Sequence, residues 1–297
     1  MLMAILAAAN TVGSLPLIIA LGLKTSSNPG LAVKFAANPG DLSILGIDPN
    51  LGLLILLIPF IAGLAAFILL IKPLHWRTFK MTINGTGKIR WNRFFISGLV
   101  WFLLSAVYLV LYMKVDPSDF TINNSSKSLI GLVIISLIFI PFQAAFEEVV
   151  FRGYLMQGFA VLLRNRWLPL LITSLSFGLL HSFNPEVRDF GFFTMMPHYV
   201  IFGLIFGVIT LLDDGIEASM GAHAANNIFL CIMVTQASST LQTASVFEQH
   251  NVYPWTEFAA LIISGVLFIL ILKIVFRWKY FSPLIGKVGG ASVNQIP

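Results

Sequence analysis

The chain has 297 residues, of which 57% are hydrophobic and only 10% charged, with a mean hydropathy of +0.88 and a formal net charge of +5. A soluble domain carries about 25% charged residues, so this composition cannot clothe a water-facing surface and excludes an ordinary soluble protein. The basic residues sit mainly between apolar runs, where membrane topology accounts for them; they are not a nucleic-acid footprint.

A membrane span takes ~20 consecutive apolar residues. Run length predicts about eight spans, at residues 3–23, 50–71, 94–113, 129–150, 167–182, 195–212, 218–236 and 255–276. The expected fold is all-α and polytopic. The first run lacks the basic flank of a cleaved signal and is read as a retained span. Residues 24–49 and 114–128 carry Asn28-Pro-Gly, Asn38-Pro-Gly-Asp and Asp116-Pro-Ser-Asp and read as loops. Asn84-Gly-Thr and Asn123-Asn-Ser-Ser match glycosylation sequons, a pattern common by chance. The tail from Ser282 is Gly-rich and polar and is expected to fray. The single cysteine, Cys231, allows neither an intrachain disulfide nor a zinc knuckle and reads as a small buried residue.

Loop charge sets the orientation. Lys72, Arg77, Lys80, Lys88, Arg90 and Arg93 lie between the second and third spans, Arg152, Arg164 and Arg166 follow the fourth, and Arg277, Lys279 and Lys287 follow the last. With eight spans all of these fall on one side, which the positive-inside rule makes cytoplasmic, together with both termini. Asp41, Asp48, Asp116, Asp119, Glu186, Asp189 and Glu248 fall on the other.

Charge inside a span costs ~2.5–3.5 kcal/mol on insertion scales, so ionisable residues there are functional candidates. Glu147 and Glu148 end the run from Leu129 to Phe146. Arg152 lies four residues after Glu148, on the same helical face, whereas Glu147 points about 100° away without that partner. Two readings are open for this motif: a buried functional group, or a helix end at the interface with a solvated pair and a snorkelling arginine. Phe177-Gly-Leu-Leu-His181 closes the fifth span. In the seventh, His223 and Asn227 share one face, flanked by Ser219, Gly221, Ala222, Ala224 and Ala225, which permit close helix approach. His181 reads equally as a backbone-bonded histidine, and His223 with Asn227 as an interhelical polar clasp. His75, His198 and His250 read as peripheral, with His198 just behind Pro197 at a helix start. From helix rise, Glu147, His181 and His223 lie roughly 10–20 Å deep from the cytoplasmic end, which permits one common level.

An unpaired carboxylate, two histidines and a carboxamide are the parts of a hydrolytic site. The glutamate would serve as general base to a water and the histidine and amide as oxyanion donors. Alternatively Glu147, His181 and His223 would ligate Zn²⁺ with an open position for water. There is no His-Glu-x-x-His, Ser174-Leu-Ser-Phe is not Gly-x-Ser-Gly, and Asp213-Asp214-Gly has no second intramembrane aspartate to pair with.

The ordered series Glu147-Glu148-x-x-x-Arg152, Phe177-x-x-x-His181 and His223-x-x-x-Asn227 resembles the CAAX-processing and bacteriocin-protection family of membrane proteases, whose eukaryotic members are type II CAAX prenyl endopeptidases. The resemblance covers about residues 130–236. It implies an eight-helix fold with an intramembrane cavity open to the cytoplasm, divided as N-terminal helices (1–127), catalytic core (128–240) and last helix with tail (241–297). It implies Glu147 and His181 activating water, His223 and Asn227 stabilising the oxyanion, and Glu148, Arg152 and Phe177 in support. Zinc-dependent and metal-free glutamate mechanisms both stay open; the absence of a familiar zinc spacing favours the second. The implied partners are the lipid bilayer and a peptide or protein substrate, prenylated in the eukaryotic relatives. The implied location is the plasma membrane in a prokaryote or the endoplasmic reticulum in a eukaryote. Two rivals stand beside this: a non-catalytic membrane immunity or partner protein on the same scaffold, and a proton-coupled transporter.

Overall fold

The computed structural model describes residues 1–123 and 126–288. The first half holds α1 (Leu2–Gly13), α2 (Leu15–Ser27), α3 (Gly30–Ala37), α4 (Pro49–His75), α5 (Phe79–Ile83), α6 (Trp91–Val115) and strand β1 (Phe120–Ile122). The second half holds α7 (Ser126–Glu148), a π-helical stretch (Val149–Met156), α8 (Gln157–Leu163), α9 (Trp167–Leu180), α10 (Pro185–Phe190), α11 (Phe192–Asp213) and α12 (Glu217–Met233). Strands β2 (Val234–Thr235) and β3 (Phe247–Gln249) and helix α13 (Pro254–Phe276) complete it. The protein is thus an all-α integral membrane protein with one small sheet, in which β3 pairs antiparallel with β1 and parallel with β2.

Every predicted run is helical, but among the described residues only five helices are long and apolar enough to cross a bilayer: α4, α6, the continuous helix Ser128–Leu163, α11 and α13. α1 and α2, bent by 40° at Ser14, make a sixth if counted as one span. α9 has 14 residues and α12 has 17, both short of ~20. The two short helices are the ones that carry His181, His223 and Asn227.

Other expectations need correction. The segment 24–49 is largely helical. The hydroxyls of Thr25, Ser26 and Ser27 donate to carbonyls three or four residues back and extend α2, and Pro29 precedes α3. His198 is buried, not peripheral: α11 begins before Pro197, and the two ring nitrogens of His198 contact the carbonyls of Thr194 (3.1 Å) and Pro254 (2.8 Å). The Asn84 sequon is internal. Its side chain is buried, donates to Lys88 O at 2.8 Å and bonds Glu217. Residues 124–125 of the second sequon lie outside the described residues, as does the tail beyond 288; its start, Ser282–Leu284, is a 3₁₀ turn.

Two clusters of polar contacts tie the loops together. At one end Arg90 pairs with Glu217 (2.6 Å) and Asp213 (3.1 Å), Arg93 lies 3.5 Å from Asp213, and Trp278 Nε1 donates to Asp213 at 2.9 Å. Burial works against the charge of Arg90, but the Glu217 hydrogen bond and the three carboxylates of Asp213, Glu217 and Asp214 outweigh it and raise its pKa above the ordinary value. The start of α1 packs beside this end, with Leu2 and Leu6 against Ile71, Ile83 and Ile216. At the opposite end Asp119 accepts from Asn251 N at 2.6 Å and Gln249 Nε2 at 3.3 Å beneath the sheet, and Glu186 accepts from Thr240 N at 2.9 Å.

α12 lies against α6 as its small residues predict. A Cβ added to Gly221 would stand 2.0 Å from Phe94 O, and Ser97 Oγ donates to Ala218 O at 2.7 Å. Gly221→Ala must therefore push two backbones apart. The expected result is a loss of at least ~1–3 kcal/mol, the usual cost of overpacking, seen as a lower melting temperature in detergent than for Ala222→Gly.

Candidate active site

The first motif sits mid-helix rather than at a helix end. The helix that carries Glu147 and Glu148 runs on to Leu163, passing through the π-helical stretch just after them. π-turns are rare and concentrate at functional sites. Glu148 and Arg152 are 0% and 1% exposed, which removes the reading of a solvated pair at an interface. Arg152 Nη1 donates to Glu148 Oε1 at 2.8 Å and Nη2 to Gly203 O at 3.0 Å, while its guanidinium stands 4.7 Å from the Phe177 ring. Phe177 therefore supports the motif through cation–π contact as well as packing.

His223 enters from α12 and meets both glutamates. Its Nδ1 lies 2.8 Å from Glu148 Oε1, and its Nε2 lies 3.6 Å from Glu147 Oε2. With Nδ1–H donated to a carboxylate already held by Arg152, the ring orientation is fixed and Nε2 is aimed at Glu147. Phe206 stacks on the ring at 5.2 Å between centroids. His223 is six residues beyond Glu217, which marks one end of the bundle, so it lies ~9 Å in.

A chain of amides ties Glu147 to Asn227. Gln143 Nε2 donates to Glu147 Oε1 at 2.6 Å, and Asn227 Nδ2 donates to Gln143 Oε1 at 2.9 Å. Asn226 Nδ2 in turn donates to Asn227 Oδ1 at 3.0 Å, and Trp101 Nε1 on α6 donates to Asn226 Oδ1 at 3.1 Å. Each acceptor oxygen is thereby assigned, so the donor direction runs one way from the indole to the carboxylate. Glu147 Oε2 is buried and accepts no hydrogen bond among the described residues. Sequence reasoning missed Gln143, Asn226 and Trp101. Gln143 had a signal: an amide inside an apolar run, four residues before Glu147.

His181 stands apart from this group. It caps α9, with Nδ1 2.7 Å from Phe177 O, and stacks on Tyr199 at 4.5 Å between centroids. Tyr199 is held by Asn184 Nδ2, which donates to its hydroxyl at 3.0 Å. The Phe177 ring is the shared neighbour, 4.6 Å from the His181 ring and 6.0 Å from that of His223. The structure thus brings together Glu147, Glu148, Arg152, His223 and Asn227, and relates His181 to them through Phe177. Among the described residues no three of His, Cys, Asp and Glu converge to hold a metal, and Nδ1 of His223 is committed to Glu148.

Arg152→Met leaves Glu148 buried beside His223 without its strong cation. Breaking a buried pair from one side costs ~3–5 kcal/mol, so the variant is expected to melt well below wild type. The double variant Arg152→Met, Glu148→Gln is expected to recover part of the loss. Equal melting of all three would remove the pair's structural role.

Residues 126–229 match the family model described as Type II CAAX prenyl endopeptidase Rce1-like. The chain is similar to the uncharacterized protein YyaK of Bacillus subtilis (strain 168), with 29% identity over 229 residues that make up 77% of this chain and 74% of that one. No solved structure matches. The polar cluster lies inside the matched segment, save Trp101 on α6, and over residues 126–229 the chain is similar to the Rce1-like family, the resemblance that the three motifs carry.

Proposed function

We propose that the chain is an intramembrane endopeptidase that hydrolyses peptide bonds of membrane-associated protein substrates, with prenylated CAAX-type C-termini the class to test first. The observation that carries the reading is the disposition of Glu147: one oxygen held by Gln143, the other buried, unbonded and faced by His223 Nε2 at 3.6 Å. A partner protein has no use for a carboxylate prepared in this way. A proton relay would need a path of titratable groups across the bundle; beyond Gln143 the groups are amides and an indole, and beyond His223 the path ends at Glu148, which Arg152 holds.

In this mechanism Glu147 Oε2 takes a proton from a water, whose oxygen attacks the scissile carbonyl carbon. His181, with Nδ1 committed to Phe177 O, offers Nε2 to the same water, a contact that tightens only with substrate bound. The second N–H of Asn227 donates to the oxyanion, and His223 donates beside it when Nε2 carries a proton as well as Nδ1. The proton then passes to the leaving amine as the C–N bond breaks. Glu148 and Arg152 hold His223 rather than react. Site access is proposed from the Arg90 end, which the basic loops assign to the cytoplasm.

The test is cleavage of a quenched, farnesylated CAAX peptide by purified protein, each variant with and without a strong chelator. Wild type is expected to cleave in both arms, and Glu147→Ala, His181→Ala and His223→Ala in neither. Loss of wild-type activity with the chelator would overturn the metal-free mechanism. Activity in Glu147→Ala would overturn the role of the base. Gln143→Leu frees Glu147 Oε1 and breaks the tie to Asn227. It is expected to lower kcat about 10–100-fold with KM nearly unchanged, as for a group whose interactions strengthen in the transition state.

A further inference from the structure

Away from the polar cluster, a cavity of about 500 Å³ opens where the end of α4 meets α5 and the helix beyond the π-stretch. It shares no lining residue with the Glu147–His223–Asn227 group. Its volume is in the range of a ligand pocket, ~300–1,000 Å³. One wall is polar: Tyr154 OH lies 3.1 Å from His75 Nε2, Arg77 Nη2 donates to Gln157 Oε1 at 3.0 Å, and Gln157 Nε2 donates to Thr82 O at 3.1 Å. The other wall is apolar, formed by Ile71, Phe159 and Leu162 among others. Leu162 and Val161 are 74% and 71% exposed beside it, on the face a bilayer would cover.

Along the two segments that form the cavity the fixed charge is of one sign. Lys72, His75, Arg77 and Lys80 precede or line it and Arg164 and Arg166 follow, and there is no Asp or Glu from residue 49 to 115 or from 149 to 185. Among the described residues none of Lys72, Arg77, Lys80, Arg164 and Arg166 forms a salt bridge, in contrast to Arg90 and Arg93 at the same end. Arg77 spends Nη2 on Met81 O and Gln157, and among the described residues its Nη1 and Nε make no hydrogen bond. A cationic rim above an apolar wall, at the end of membrane-spanning helices, matches a molecule with an anionic head and a hydrocarbon tail.

We propose that this cavity binds one anionic phospholipid, its phosphate on Arg77 and an acyl chain along Ile71, Phe159 and Leu162. The site is independent of the proteolytic reading.

Two variants separate the parts of the proposal. Arg77→Gln removes the cation. Gly158→Leu fills the cavity while leaving every charge in place; a Cβ at Gly158 meets no atom within 4 Å, so the helix accepts it. Arg166→Gln, on the same basic face but outside the cavity lining, is the control. The full-length protein in detergent is titrated with phosphatidylglycerol or phosphatidylcholine and the bound lipid is counted by native mass spectrometry. One phosphatidylglycerol is expected to bind in preference to phosphatidylcholine. Its affinity is expected to fall about fivefold or more in Arg77→Gln, the size of one cation's attraction to an anionic lipid, and likewise in Gly158→Leu, with Arg166→Gln near wild type. Equal loss in Arg166→Gln would mean diffuse attraction to a basic surface and would overturn the site. So would retention in both cavity variants. Displacement by glycerol phosphate alone would show a headgroup site without the acyl contact and would overturn the amphiphile.

Discussion

The Glu148 carboxylate is the point on which the interior depends. It is fully buried in a helix that crosses the bundle, where an unpaired charge would be prohibitive. Arg152 neutralises it from one turn along the same helix, and His223 reaches it from α12. Arg152 is in turn held by Gly203 O on α11 and by the ring of Phe177 on α9. One carboxylate therefore fixes the relative placement of four helices. It also turns His223 so that its second nitrogen faces Glu147. The adjacent glutamates point to different faces and differ in their partners: Glu148 meets Arg152, whereas Glu147 meets Gln143 and the second nitrogen of His223, and each leaves its Oε2 without a hydrogen bond among the described residues.

The amide chain adds a second constraint from the other side. Glutamine and asparagine side chains can be read in either orientation when isolated. Here the indole of Trp101 can only donate, which fixes Asn226, then Asn227, then Gln143, so that an N–H and not a carbonyl meets Glu147. Asn227 keeps one N–H uncommitted along this chain. A carboxamide that was ordered only by its own helix would have no such preference.

The spacing rules recovered whatever lies on one helix. Glu148 with Arg152 and His223 with Asn227 were legible because four residues bring side chains to one face. The same rule applied backwards from Glu147 reaches Gln143, which the search for charged residues passed over. Trp101 with Asn226, and His223 with Glu148, join residues far apart in sequence, and no periodicity encodes which face of one helix meets which face of another. The small residues of α12 did foretell close approach to α6, because a Cβ at Gly221 has no room there. Run length takes no account of such contacts. α12 begins at buried Glu217 and carries His223, Asn226 and Asn227, so it is neither long nor apolar enough to meet lipid on its own.

The packing around α12 accounts for how the site can exist in a membrane. A helix with this many polar groups is stable in the bundle because nearly all of them are answered by neighbours: Glu217 by Arg90 and Asn84, Ser219 by Thr210, His223 by the two glutamates, Asn226 by Trp101, Asn227 by Gln143. α6, α7 and α11 pack around it, and α6 and α7 carry exposed apolar residues such as Leu103, Val107, Ile134 and Leu137 on their outer faces instead. Long apolar helices thus form the wall, and the short polar helix inside needs only to satisfy protein. The polar cluster gains a dry surrounding in which its hydrogen bonds are strong, while each of its members stays within reach of one end of the bundle, where Arg90 locks Glu217 and Asp213 together.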